Sequence, residues 1–191
     1  MNFKSPPSIS IILILFTTLW GCSTTRQNHS VGSSIYNSSN AGLIAGKMNH
    51  ESEFGSYFEF RSTSTGKTYE WSAADDYMFW LPPGQYELSL ITSREGHRIP
   101  LTDPFSFNVA TGKINYIGDV EYGCVDAPRQ SSAWYKIRDC GIYTEASCPV
   151  RPIAVCTEDK MEQTVSQLKA HFPSTSSMEV INAMMSRPLV E

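Results

Sequence analysis

Charge is sparse in this chain, and it is not gathered anywhere. Fifteen Lys and Arg against nineteen Asp and Glu leave a net charge of −4 over 191 residues. With no basic cluster to meet a phosphate backbone, nucleic acid is excluded as an expected partner. Histidine is as scarce: His29, His50, His97 and His171 are scattered, and none has a second His or a Cys within four residues. There is no G-x-S-x-G turn to present a nucleophilic serine. Gly66-Lys67-Thr68 lacks the glycine that a phosphate loop needs five residues earlier, where Arg61 stands, so no nucleotide cofactor is expected. The adjacent Asp75 and Asp76 read as a solvated turn before a strand rather than an acid/base pair. No catalytic residue, metal site or cofactor is assigned, and the chain is expected to be non-enzymatic.

Long apolar runs are also missing. The most apolar stretch, Ile9 to Trp20, follows Lys4 and spans twelve residues. As a helix it would measure ~18 Å, against a bilayer hydrocarbon core of ~30 Å, which is too short to cross. A basic leader, a short apolar core and a small residue at its end are the parts of a secretory signal. Here the core ends in Leu19-Trp20-Gly21-Cys22, which resembles the lipoprotein signal of bacteria. The resemblance implies cleavage before Cys22, a diacylglycerol on its thiol, and attachment to the membrane through that lipid. Ser23, where an Asp would favour retention in the inner membrane, implies the outer membrane. Loss of residues 1–21 removes Lys4, their one charged side chain, and takes the net charge from −4 to −5.

If Cys22 is lipidated, Cys124, Cys140, Cys148 and Cys156 remain. An even number in an exported chain predicts two disulfides. Zinc is the rival, but its structural sites use close C-x₂₋₄-C pairs, which this spacing lacks. Three connectivities are open, with the nested pairing, Cys124–Cys156 around Cys140–Cys148, preferred.

Residues 23–40 are mostly Ser, Thr and Asn, a composition too polar to offset its ordering entropy, and predict a flexible tether across 22–40. From Ala41 onward strand patterns take over and no helical period appears before residue 123. Leu43-Ile44 begins the first strand. Phe58 and Phe60 alternate with polar residues, a turn follows at 62–67, and Tyr69 and Trp71 continue beyond it as a hairpin. Tyr77–Leu81 is an uninterrupted apolar strand. Pro82-Pro83-Gly84 has type II turn chemistry and predicts a return strand with Tyr86, Leu88 and Leu90 on one face. Phe105, Phe107 and Val109 line another strand, and Lys113–Tyr122 reads as one long one.

These residues carry a second resemblance. Phe79–Leu88, FWLPPGQYEL, and Ala110–Asp119, ATGKINYIGD, are similar to segments of bacterial lipoproteins with a prealbumin-like, carboxypeptidase-regulatory-type β-sandwich. The resemblance covers roughly 41–122 and implies a mainly β fold, an antiparallel β-sandwich of prealbumin or Ig-like type. It implies no catalytic set.

Residues 123–156 depart from that pattern as a cysteine-bearing insertion. Arg129, Trp134, Arg138 and Tyr143 form a candidate partner surface there, since aromatics and Arg dominate binding hot spots. The competing reading packs Trp134 on the core. Over 157–188 a helical hairpin is expected: Thr157 caps a helix carrying Met161, Val165 and Leu168, and Ser176 with Glu179 caps a second carrying Val180, Ile181, Met184 and Met185. The combined expectation is a lipid-tethered binding or assembly module with an envelope protein as partner. A hydrolase accessory that binds glycan or peptide, and a purely structural envelope component, are the alternatives.

Overall fold

The computed structural model describes residues 29–49, 57–72, 76–92, 104–124, 128, 131–138 and 150–187. Among them the chain is mainly β, with two sheets and one α-helix. The larger sheet is built on β1 (Gly42–Asn49), which pairs antiparallel with β4 (Asp76–Leu81) on one side. On its other side lie β7 (Ile114–Tyr116) and β8 (Asp119–Tyr122), both parallel to β1. Beyond these, β11 (Val180–Asn182) runs parallel to β7, β10 (Val150–Glu158) antiparallel to β8, and β9 (Ser132–Arg138) antiparallel to β10. The smaller sheet is antiparallel throughout, in the order β3 (Thr68–Ser72), β2 (Tyr57–Ser62), β5 (Gly84–Thr92), β6 (Phe105–Val109).

Two-residue periodicity explains the layers. In β1, Ile44 and Met48 belong to the main core, while Leu43 and Ala45 belong to a second cluster on the opposite face. In β4, Tyr77, Phe79 and Leu81 point one way, Met78 and Trp80 the other. The unbroken apolar run Tyr77–Leu81 is therefore the mark of a strand covered on both faces. Side chains of both sheets share the main core, in which Trp71 of β3 stacks on Phe79 of β4 with ring centroids 4.1 Å apart. The outer cluster is covered by α1 (Met161–His171), through Leu168, and by Val31 and Tyr36 of the N-terminal segment.

Four expectations are corrected. Pro82-Pro83-Gly84 is not a hairpin turn: β4 belongs to the larger sheet and β5 to the smaller, so the prolines carry the chain from one to the other. Prolines have no N–H to give a ladder, which suits them to a crossing. Tyr86 Oη donates to Pro82 O at 2.8 Å and ties the corner down. Second, 113–122 is two strands, because one extra residue enters between the pairs Ala45↔Tyr116 and Met48↔Val120, with Gly118 at φ 98°.

Third, the second helix of the hairpin is absent from 176–187, where β11 stands instead. Ile114 N–H donates to Glu179 O at 2.8 Å and Ala183 N–H to Tyr116 O at 2.8 Å, and Glu179 pairs with Lys113 rather than capping. A sheet edge supplies these non-local bonds, and local helix signals do not register it. Thr157 likewise ends up in β10, its hydroxyl donating to Met185 O at 3.1 Å, and the helix begins three residues after Glu158 without a side-chain cap on its N-cap residue Lys160. Fourth, the predicted tether is packed from His29 onward. Its Asn and Ser side chains bond to its own backbone, Asn40 Nδ2 to Ile35 O at 2.8 Å and Asn37 N–H to Asn40 Oδ1 at 2.9 Å, so turns form where composition suggested coil.

Candidate functional site

The residues singled out by sequence fall unevenly. Cys22, Arg129, Cys140, Tyr143 and Cys148 lie outside the described residues. Trp134 and Arg138 sit on β9, in register with Ala154 and Val150 of β10. Cys124 and Cys156 come together as a disulfide with an S–S distance of 2.11 Å and Cα atoms 6.1 Å apart, the outer pairing of the nested arrangement. It ties the residues just after β8 to β10. Asp76 is exposed at the start of β4, and His171 lies exposed at the end of α1. Among the described residues no group of three His, Cys, Asp or Glu is placed to hold a metal ion.

Sequence reading missed a buried acid. Asp119, 1% exposed at the start of β8, accepts Thr164 Oγ1 of α1 at 2.8 Å and Tyr116 Oη at 3.0 Å. Tyr116 Oη in turn accepts the Lys160 backbone N–H at 2.9 Å. Burial pushes the Asp119 carboxyl above the ordinary carboxylate value, and the bonds from Thr164 and Tyr116 pull part of that back. Beside it, the hydrogen bonds from Lys160 Nζ to Glu121 (2.9 Å) and Glu158 (2.8 Å) raise the pKa of that amine. Every member faces another member across the joint between α1 and the sheet. The cluster fastens the helix to the sheet.

Among the described residues a cleft of about 650 Å³ lies open between β6 and β11, the edges of the two sheets. One end is closed where Ser106 and Ser186 exchange two backbone bonds, at 2.8 and 3.0 Å. At the other end the buried Asn115 amide substitutes for a strand partner: its Oδ1 accepts Ala110 N–H at 2.8 Å and its Nδ2 donates to Ala110 O at 3.1 Å. Between these two rungs stands Asn108. Backbone groups alternate sides along an antiparallel strand, so its N–H and C=O, like those of Ser106, point away from β5. Gln85, Asn108 and Asn182 add side-chain amides and Met184 an apolar surface, with no charged residue among the described lining. Paired donors and acceptors of this kind suit an uncharged polar ligand with amide or hydroxyl groups. The cleft was not legible because 176–187 read as helix, which leaves no edge for it to form against.

No protein-family model, no curated protein and no solved structure matches the chain.

Proposed function

We propose that this chain is a lipid-anchored protein of the bacterial outer membrane that works by binding, as a non-enzymatic assembly or partner module. The observation that carries the reading is the order Lys4, apolar core, Leu19, Gly21, Cys22. The Cys124–Cys156 disulfide supports it, because such bonds persist in oxidising compartments. In this reading the two sheets are a prealbumin or Ig-like sandwich. A tyrosine bonded back to a carbonyl a few residues upstream, at a corner between sheets, is a recurrent feature of sandwiches, and Tyr86–Pro82 supports that reading here. The β6/β11 cleft is the leading contact surface, and the β9 region with Arg129, Trp134, Arg138 and Tyr143 the second.

The amide-rich lining of the cleft also favours the alternative of a hydrolase accessory, since amides pair with sugar hydroxyls as well as with peptide groups. Crosslinking in whole cells followed by mass spectrometry separates the two. A reproducible envelope protein, lost when Asn108→Arg and Asn182→Arg place charge in the cleft, is the expected result. Recovery of glycan or peptide instead selects the alternative, and recovery of neither refutes a binding role.

A further inference from the structure

The edge of the molecule opposite the cleft is closed by the chain itself. Ser30 forms one antiparallel bridge with Phe79 of β4. His29 Nδ1 lies 2.7 Å from Trp80 O, and Trp80 Nε1 donates to Val31 O at 3.3 Å. The His29 ring stacks on Tyr36, centroids 4.7 Å apart, and meets Tyr69 of β3 edge-on at 5.1 Å. The segment 29–36 thus straddles β4 of one sheet and β3 of the other. In the strand orders β3-β2-β5-β6 and β4-β1-β7-β11, the cleft is three strands away in each sheet, or about 14 Å at ~4.8 Å per step.

Cys22 precedes His29 by seven residues. Whatever its conformation, that length of chain spans at most ~25 Å at ~3.6 Å per residue. A domain of this size has a radius of gyration of roughly 15 Å, hence a width near 40 Å. A tether fixed to one edge holds that edge within ~25 Å of the bilayer, whereas the cleft can lie up to ~14 Å farther off, so the tether biases the docked edge toward the lipid. The anchored edge also carries what an interface with lipid favours. Ile35 is 50% exposed, the one large hydrophobic so exposed among the described residues. Lys67, exposed, lies over the Tyr69 ring at 5.0 Å and supplies a cation for lipid phosphates, while the exposed acids of these strands are Glu70 of β3 and Asp76 at the far end of β4.

Resting on the lipidated-Cys22 reading, we infer that the docked segment His29–Tyr36 sets the orientation of the domain on the membrane. The β3/β4 edge, with Ile35 and Lys67, sits on the lipid headgroups, and the β6/β11 cleft faces away from them, free for a partner. The occupant of the 29–36 face is the bilayer that holds the anchor.

The test uses the full chain in its processed form, reconstituted in vesicles of phosphatidylethanolamine and phosphatidylglycerol. A photoreactive benzoylphenylalanine replaces either Ile35 or Asn108, and the mass of the N-terminal peptide reports lipid on Cys22 independently. Lipid labelling from position 35 is expected to exceed that from position 108 by about fivefold or more. A long Gly-Ser insertion between Thr25 and Arg26 is expected to bring the two close to equal. Equal labelling in the lipidated, uninserted protein overturns the orientation and leaves the lipoprotein reading intact. A preference that survives the insertion overturns the role of tether length. Absence of lipid on Cys22 overturns both readings.

Discussion

At the scale of single residues, the buried hydroxyls around the sheet–helix joint make opposite contributions. Thr164 donates a hydrogen bond to an acid whose ionised form burial disfavours, and hydrogen bonds to charged groups contribute about 1.5–3 kcal/mol. Thr164→Val, close in shape, should cost that much at neutral pH. Because the lost bond serves the ionised carboxylate, the penalty should shrink between neutral and acid pH, as Asp119 takes up its proton. Chemical denaturation at both pH values checks this, and an equal loss at both would contradict the assignment. The sign for Asp119 itself runs the unusual way. Its folded pKa lies above the unfolded one, so its contribution to stability is full below the ordinary carboxylate value and is lost as pH rises through the raised value. Tyr77 is the contrary case, a fully buried side chain whose hydroxyl has no hydrogen-bond partner among the described residues. An unmade buried bond is a cost, so Tyr77→Phe should leave stability unchanged or raise it by up to about 1 kcal/mol, read from the denaturation midpoint. Gly46 explains why that hydroxyl is tolerated: a Cβ there would collide with Tyr77 Oη and lie 2.7 Å from Gly118 O.

At the scale of elements, the segment 29–36 depends on a histidine kept neutral. Burial lowers the His29 pKa below the ordinary value, the bond to Trp80 opposes that, and nearby Lys67 adds to the lowering. Tyr36, Tyr69 and Trp80 are its other neighbours. A depressed histidine stabilises the folded form fully above its unfolded pKa, and that stability is lost as pH falls through the folded value, a window below about 6.5. Amide exchange in 31–36 should therefore accelerate on acidification, after correction for intrinsic rates, and His29→Gln should remove the pH dependence. Exchange that stays constant from neutral to acid pH in the parent protein would rule this out. The same segment shows why element assignments diverged from pattern. Period-two alternation made β2, β5 and β6 readable, since Phe58/Phe60, Tyr86/Leu88 and Phe105/Phe107 put apolar residues on a single face. His29–Asn40 and 176–187 gave no such reading, because their stability comes from β4 and β7, strands distant in sequence.

At the scale of the whole molecule, both faces of the larger sheet must be covered, and three pieces of chain do it. The smaller sheet covers one face, and α1 with the N-terminal segment covers the other. Replacing 29–36 by an equal length of Gly and Ser should expose Trp80, Met78 and the free edge of β4. A loss of about 2–4 kcal/mol is expected from the apolar area of Val31 and Tyr36 returned to water. Association that grows with concentration should accompany it, seen by sedimentation, because an uncovered strand edge pairs with other chains. Unchanged stability and a monodisperse protein would show that the segment is not part of the fold. The sequence by itself determined the composition of the core, the mainly β character, the alternation within most strands, the cysteine pair 124 and 156 as one of its options, and the first helix of the expected hairpin, carrying Met161, Val165 and Leu168. Apart from the cysteine pair, which joins residues 32 apart, each of these is a local or compositional property, written within a few residues of where it acts. Tertiary structure alone decided which sheet each strand joins, the crossing at Pro82-Pro83, the strand at 180–182, the buried acid at Asp119 and the cleft between β6 and β11. All of these rest on contacts between residues far apart in the chain, whose bonds to distant strand edges outweigh local propensity.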